Sequence, residues 1–283
     1  MILVTGASGT IGGEVVRLLA AKGEQVRAMI RSPNRAGVPA GVEVVRGDFD
    51  EPSSLEQSVG GATALFLLSA PGPSVSLHDQ AMLGPARDAG VSRVVKVSSI
   101  GSGETGSARV GAWHRPGEQA VQASGMAWTL LRPAEFASNT LRWADPIRAG
   151  DPVPNMTGVG TLGVVDPRDV AAVAVETLIS DGHEGQAYTL TGPELLSVPD
   201  RAVRLGQVLG RAVRTVEVPL DVAREQMLAS GMNASFVDVV IDGLEFIRSG
   251  HSAVLTGDVE RVLGRPPHGF DIWVQDHRDA FAV

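Results

Sequence analysis

A glycine-rich segment near the start of the chain has the residue types and spacing of a phosphate-binding loop. Gly6, Gly9 and Gly12 follow a short apolar run and open a segment with helical periodicity. In such a loop the first glycine permits a tight turn, the second leaves room for a pyrophosphate, and the third lets the helix pack closely. A plain strand-to-helix turn also favours glycine, but the surrounding βαβ unit favours a dinucleotide. The predicted dinucleotide-binding residues are Gly6, Ser8, Gly9, Thr10, Ile11 and Gly12.

Two arginines after the second predicted strand favour NADP over NAD. An acidic residue that binds the ribose 2′-hydroxyl is normal in NAD enzymes about 20 residues past the loop. This chain has Arg31 there, and Arg35 follows four residues later. A guanidinium presents a fork of donors that matches a 2′-phosphate. The alternative is that Arg31 is a solvated loop residue.

Strand and helix patterns alternate through the first half of the chain. Short apolar runs begin near residues 2, 25, 42, 64, 93 and 128, with helical patterns after several of them. This order predicts an α/β fold: a Rossmann-type, doubly wound parallel sheet. The last third is mostly helical and predicts a smaller substrate lobe. We assign residues 1–135 and 161–190 to the NADP-binding domain, and 136–160 and 191–283 to the substrate lobe.

The carboxyl ends of the predicted strands indicate where the ligands lie. In an open α/β sheet these ends face the ligand crevice. Leu68 and Ser69 follow the fourth strand, Ser98 and Ser99 the fifth, and Pro133 the sixth. We therefore expect Leu68, Ser69, Ser98 and Pro133 to contact the cofactor, and Ser99 to polarise a substrate carbonyl. Plain hydrogen bonding at a strand end is the alternative for the serine pair.

Composition and charge exclude several classes of function. The chain has 283 residues, a net charge of −8 and no cysteine, which argues against a nucleic-acid partner, disulfides and zinc–thiolate sites. Its histidines are scattered, so we expect no metal site. We see no signal peptide and no apolar stretch of the roughly 18 residues that a membrane helix needs. We expect a cytoplasmic protein with no membrane partner, and a homodimer is left open.

Several segments together carry a resemblance to a known family. Besides the loop, they are residues 45–49 (VRGDF), 97–99 (VSS), 113–115 (WHR), 129–133 (TLLRP), 188–193 (YTLTGP) and 208–211 (VLGR). Their order resembles the NmrA-like, atypical short-chain dehydrogenase/reductases, and most of all the NAD(P)H-quinone-reductase-like branch. The resemblance implies that Asp48 accepts a hydrogen bond from the adenine amine and that Phe49 lies beside the ring.

The proton-donating pair of ordinary short-chain reductases, Tyr-x-x-x-Lys, is absent from the sequence. The single tyrosine, Tyr188, has a glycine four positions later. This argues against the reduction of simple ketones but not of quinones or enones, whose acceptors need less protonation. His114 is the best remaining acid, because an unperturbed histidine titrates near neutral pH; a structural histidine near a helix start is the alternative.

A flat, apolar small molecule is the expected substrate. Aromatic and thioether side chains from the helical lobe suit such a molecule, although core packing explains them as well. The candidate substrate-binding residues are Trp113, Phe136, Asn139, Trp143 and Met156. Two functions follow: an NADP(H)-dependent reductase of a quinone, enone or similar flat carbonyl compound, or a non-catalytic NADP(H)-sensing regulator of the NmrA type.

Overall fold

The computed structural model describes residues 1–32, 37–70, 72–102 and 109–282. Within this part of the chain, nine strands form two sheets, one of seven strands and one of two. The strands are β1 (Ile2–Val4), β2 (Val26–Ile30), β3 (Glu43–Arg46), β4 (Ala64–Leu67), β5 (Arg93–Val97), β6 (Ala127–Pro133), β7 (Val153–Asn155), β8 (Gln186–Leu190) and β9 (Thr215–Glu217).

The large sheet has the order β3-β2-β1-β4-β5-β6-β8, and every pairing in it is parallel. The chain starts in the middle, runs outward to β3, then returns past β1 to build the other half. This confirms the predicted Rossmann-type, doubly wound sheet. The reversal of direction between β1 and β4 opens a crevice at the carboxyl ends of the strands, which is where ligands bind in such folds.

Helices connect the strands and cover both faces of the sheet. In the described residues they are α1 (Thr10–Ala21), α2 (Pro52–Ser58), α3 (Val75–Asp88), α4 (Arg109–Gln122), α5 (Ala144–Ala149), α6 (Pro167–Ile179), α7 (Val198–Leu209), α8 (Leu220–Ala229), α9 (Ala234–Arg248), α10 (Asp258–Leu263) and α11 (Phe270–Asp276). None of the described helices is long and apolar enough to cross a membrane.

The strands are apolar throughout because alternate residues enter two different cores. In β1, Val4 packs with α1 and α6 on one face, whereas Leu3 packs with α2, α3 and α4 on the other. Side chains alternate between the faces of a strand, and a sheet covered on both sides therefore needs apolar residues at every position. The same division holds for Leu65 and Phe66 of β4.

The C-terminal third has a core of its own. Phe270, Trp273 and Phe281 pack with Ile147 of α5 and Leu205 of α7. The sequence predicts one last helix over Phe270–Phe281, but the structure ends α11 at Asp276 and continues with a short 3₁₀ helix over Arg278–Phe281. The small parallel sheet of β7 and β9 and the short helices α2 and α10 were not predicted, because elements of three to seven residues are too short to show a period.

Candidate active site

The glycine loop joins β1 to α1 in the conformation that its spacing requires. Gly6 has a φ of +62°, which favours glycine, and its carbonyl accepts the amide of Gly9 at 2.9 Å. A Cβ on Gly12 would lie 2.2 Å from the carbonyl oxygen of Gly6, so only glycine lets the helix start this close to the loop. Gly13 donates to the carbonyl of Gly9 at 2.8 Å. The amides of the first helical turn precede that bond and are available to an anion.

A cavity of about 900 Å³ begins at this helix start and continues along the carboxyl ends of the strands. It passes the ends of β4, β5 and β6 and reaches the apolar face of α9. Its volume lies in the range of ligand sites in proteins. The loop, the exposed first turn of α1 and this crevice fit a dinucleotide, with the phosphates at α1 and space for a second molecule beside α9.

Most of the residues predicted from the strand ends line this cavity together. The predicted residues in its wall are Thr10, Ile11, Leu68, Ser69, Ser98, Ser99, His114, Pro133, Phe136 and Asn139. Leu68 is fixed by Thr5, whose hydroxyl accepts the Leu68 amide at 2.8 Å and lies 3.0 Å from its carbonyl oxygen. The hydroxyl of Ser99 lies 3.4 Å from the Ile100 carbonyl, a weak contact that leaves it facing the cavity.

The residues predicted for the adenosine end lie beyond β2 and β3. Arg31 is exposed directly after β2, and among the described residues no hydrogen bond or ion pair holds its guanidinium. Asp48 accepts the amide of Asp50 at 3.1 Å, which shapes the turn after β3. Phe49 stacks on His78 with ring centroids 5.3 Å apart. Arg35 lies outside the described residues.

Three of the predicted substrate residues are not among the described residues that line the cavity. Trp113 stacks on Phe236 with ring centroids 5.5 Å apart, and so joins α4 to α9. Trp143 packs against the C-terminal core, with the guanidinium of Arg201 5.1 Å above its ring. Met156 lies half-buried just after β7. In these positions Trp113 and Trp143 pack between elements of the fold, and their contact with a substrate stays a prediction.

A buried ion pair lies behind the cavity wall. Lys96 of β5 and Asp79 of α3 are both fully buried, and Lys96 Nζ lies 2.5 Å from Asp79 Oδ2. Lys96 Nζ also donates to the carbonyl of Val97 at 3.0 Å, and the Ser69 hydroxyl donates to Asp79 Oδ1 at 2.8 Å. Burial raises the pKa of Asp79, and the charge of Lys96 opposes that rise. The pair thus contacts two residues, Ser69 and Val97, that line the cavity.

A second buried carboxylate, which is also paired with a cation, accepts a hydrogen bond from Ser98. Glu118 of α4 is buried and accepts two hydrogen bonds from Arg132 of β6, at 2.9 and 2.7 Å. The Ser98 hydroxyl donates to Glu118 Oε1 at 2.5 Å. Ser69 at the end of β4 and Ser98 at the end of β5 therefore each donate a hydrogen bond to a carboxylate that is itself paired with a cation.

His114 lies in α4, one turn before Glu118, with its ring partly buried in the cavity wall. Its Nδ1 is buried and has no hydrogen-bond partner among the described residues. Burial is the main cause that lowers the pKa of His114 to about 4; the charge of Lys96 contributes to this fall, and the charge of Glu118 opposes it. At neutral pH the ring is therefore uncharged.

The sequence reading missed the wall that α9 contributes. Val240, Leu244 and Ile247 face the cavity, and residues 251–256 continue the wall after the helix. The helical period of these apolar residues predicts a buried face, but not which surface covers it. Lys96 did carry a signal, because it is one of only two lysines and lies between valines in β5.

The NAD(P)H-binding family matches this chain over residues 6–181, which include the loop and most of the large sheet. The class of protein that the fold and the site define is therefore an NAD(P)H-binding Rossmann protein, and the chain belongs to this family. The predicted cofactor is confirmed at that level.

Two relatives of known activity match the whole length of the chain. The (4-alkanoyl-5-oxo-2,5-dihydrofuran-3-yl)methyl phosphate reductase of Streptomyces griseus subsp. griseus is 38% identical and covers 100% of this chain and 99% of its own. The NAD(P)H azoreductase of Xenophilus azovorans is 36% identical and covers 100% of both chains.

Solved structures share the fold at lower identity. An NADPH-dependent quinone oxidoreductase from Escherichia coli, complexed with NADPH, has a TM-score of 0.86 at 22% identity and covers 98% of this chain and 99% of its own. The triphenylmethane reductase of Citrobacter sp., complexed with NADP(H), has a TM-score of 0.83 at 24% identity, with 97% and 99% covered. These structures show the fold. The family match and the two full-length relatives place the chain among the NAD(P)H-dependent reductases, and together with the shared fold they confirm the predicted resemblance to the NmrA-like, atypical short-chain dehydrogenase/reductases.

Proposed function

We propose that this protein uses NADPH to reduce a flat, conjugated acceptor such as a quinone or an enone. The observation that carries the proposal is the cavity: it joins a dinucleotide loop to an apolar wall, and His114 on that wall is uncharged. The substrate named for the Streptomyces griseus relative supports this, because a 5-oxo-2,5-dihydrofuran with an alkanoyl group places a ring double bond beside carbonyl groups.

The residues that bind the cofactor follow from their positions. The first turn of α1, with Gly9 at its start, binds the pyrophosphate, and Arg31 binds the 2′-phosphate, which favours NADPH over NADH. Arg35, Asp48 and Phe49 complete the adenosine end, as the family resemblance implies. Leu68, Ser69, Ser98 and Pro133 contact the nicotinamide half from the strand ends.

The substrate lies between the strand ends and α9. When bound, NADPH supplies a hydride; the acceptor takes up this hydride and one proton, which leaves NADP⁺ and the dihydro product. Phe136 and Leu244 contact the flat face of the acceptor from opposite walls. His114 donates a hydrogen bond from its neutral ring to the acceptor oxygen, Ser99 assists, and water supplies the proton.

The experiment that tests this proposal measures NADPH oxidation against a panel of quinones, enones and simple ketones. Quinones and activated enones should be reduced, because they delocalise the charge that arrives with the hydride. Simple ketones should not, since their developing alkoxide needs a positioned acid. Tight NADPH binding with no turnover of any acceptor would refute the proposal and favour the sensor function. Rapid reduction of simple ketones would show an acid elsewhere.

A further inference from the structure

The most unusual buried group in the described part of the chain is Lys96. Its side chain is fully buried, as is that of its partner Asp79. Removing two charges from water costs several kcal/mol each, and well-packed apolar residues in their place are often as stable or more so. A buried pair of this kind is weak evidence for a role in stability, and the groups that it contacts indicate another role.

Asp79 uses its two oxygens for different partners. Oδ2 faces Lys96 at 2.5 Å, and Oδ1 accepts the hydroxyl proton of Ser69 at 2.8 Å. Gly117 of α4 packs directly on this carboxylate, because a Cβ there would lie 2.2 Å from Oδ2. The carboxylate therefore has little freedom to turn, and the Ser69 hydroxyl keeps one orientation.

That orientation gives Ser69 a defined chemical preference. A serine hydroxyl has one proton and two lone pairs. With its proton directed to Asp79, Ser69 can offer only lone pairs to the cavity, and it must therefore bind a ligand group that donates. A carbonyl oxygen of the substrate cannot be that group. On the nicotinamide half of the dinucleotide, the donors are the ribose hydroxyls and the carboxamide N–H.

We propose that Lys96 and Asp79 are positioning residues for the cofactor: they fix Ser69 as a hydrogen-bond acceptor for an O–H or N–H donor on the nicotinamide half of NADPH. Neither residue touches the ligand itself. Lys96 also donates to the Val97 carbonyl at the end of β5, and through Asp79 it is connected to Ser69 at the end of β4. The inference rests on the proposed function only in taking NADPH as the ligand.

The first test measures NADPH binding by fluorescence titration in the absence of any acceptor. Ser69→Ala should raise the Kd about 5- to 10-fold, the value of one hydrogen bond. Asp79→Leu combined with Lys96→Met should raise the Kd by a similar factor, because the Ser69 hydroxyl is then free to rotate. The triple variant should bind no worse than the double variant, since the losses share one hydrogen bond.

A conservative pair of substitutions separates positioning from general disruption. Asp79→Asn with Lys96→Met is equally uncharged, but its amide oxygen can still accept the proton of Ser69. It should bind NADPH within about twofold of the parent. The matched control is Asp169→Asn, which alters another fully buried carboxylate, paired with Arg265 and His268 and outside the described cavity lining. It should lower the melting temperature and leave the Kd unchanged.

The source of the donor is distinguished with the 3-acetylpyridine analogue of NADP⁺, which keeps the riboses and lacks the carboxamide N–H. Displacement of NADPH fluorescence gives the affinity of each dinucleotide. If Ser69→Ala weakens both NADP⁺ and the analogue, the donor is a ribose hydroxyl. If it weakens only NADP⁺, the donor is the carboxamide.

Parent-like affinity of Ser69→Ala for NADPH would overturn the proposal, and so would parent-like affinity of the folded Asp79→Leu/Lys96→Met variant. Ser69→Ala and the Asn variant decide the matter if the Leu variant does not fold.

A result against this inference is distinguishable from failure of the proposed function. Binding is measured without turnover, so a protein that binds NADPH through Ser69 but reduces no acceptor supports the positioning pair and refutes the reductase. A protein that reduces quinones with unchanged NADPH affinity in Ser69→Ala does the reverse.

Discussion

His114 should act as a neutral hydrogen-bond donor, and its substitution tests this directly. Burial lowers its pKa to about 4. At pH 7 the imidazolium form then makes up about one ring in a thousand. A neutral imidazole can still donate one hydrogen bond, and glutamine can donate a similar bond without titrating. We expect His114→Ala to lower kcat about 10- to 100-fold, which corresponds to about 1.4 to 2.7 kcal/mol of transition-state stabilisation, and His114→Gln to keep kcat within about fivefold of the parent.

The pH profile separates the two roles of the ring. With NADPH and a quinone in excess, kcat of the parent should change less than about twofold between pH 5.5 and 8, because His114 stays neutral throughout. If imidazolium were instead the acid, kcat would fall about tenfold per pH unit above pH 5. Such a fall in the parent, together with a flat profile in His114→Gln, would refute the neutral role.

The lowered pKa of His114 also predicts how the free energy of unfolding depends on pH. An unfolded histidine titrates near 6.5 and the folded His114 near 4, so the unfolded chain binds more protons in this window. The free energy of unfolding should therefore be highest above pH 6.5 and fall as the pH drops towards 4, by about 3 kcal/mol from this group. The charged groups that act on His114 are Lys96, which is paired with Asp79, and Glu118, which is paired with Arg132. Denaturant titration of the parent and His114→Gln at pH 7 and pH 4.5 measures the difference, which should shrink in the variant; an equal loss in both would contradict the cause.

Four further substitutions test the cofactor site and the substrate wall. Arg31→Ala should weaken NADPH about 10- to 100-fold and NADH little, measured by titration; equal losses would assign Arg31 another role. Gly9→Val should keep the melting temperature and lose NADPH binding, because an added Cβ meets only the Gly6 carbonyl oxygen at 3.3 Å. Gly12→Ala should instead destabilise the fold by roughly 1–3 kcal/mol, because its Cβ would lie 2.2 Å from the same oxygen. Leu244→Ala should raise KM for a quinone about tenfold with unchanged NADPH Kd, and a parent-like KM would remove Leu244 from the substrate wall.

The sequence predicted the sheet and the cofactor loop because both depend on local signals. Glycine spacing and apolar runs are read within about ten residues, and the Rossmann sheet places the strand ends Leu68, Ser69 and Ser98 side by side once its strand order is assumed. The wall from α9 could not be predicted, since its contact with the cavity joins residues more than a hundred positions apart. The Lys96–Asp79 pair could not be predicted for the same reason, because nothing near Asp79 in the sequence indicates that it contacts a lysine from β5.

The arrangement of protons around the cavity explains which acceptors the protein should reduce. The hydroxyl of Ser69 donates a hydrogen bond to Asp79, and the hydroxyl of Ser98 donates one to Glu118. Neither hydroxyl can therefore donate to a substrate at the same time. His114 is uncharged, so it can stabilise an oxygen by one hydrogen bond but holds no acidic proton at neutral pH. The two buried carboxylates thus engage two of the serine hydroxyls at the strand ends and leave Ser99 as a hydrogen-bond donor only. An acceptor that survives as a delocalised anion until water protonates it suits this site, whereas one that forms a localised alkoxide does not.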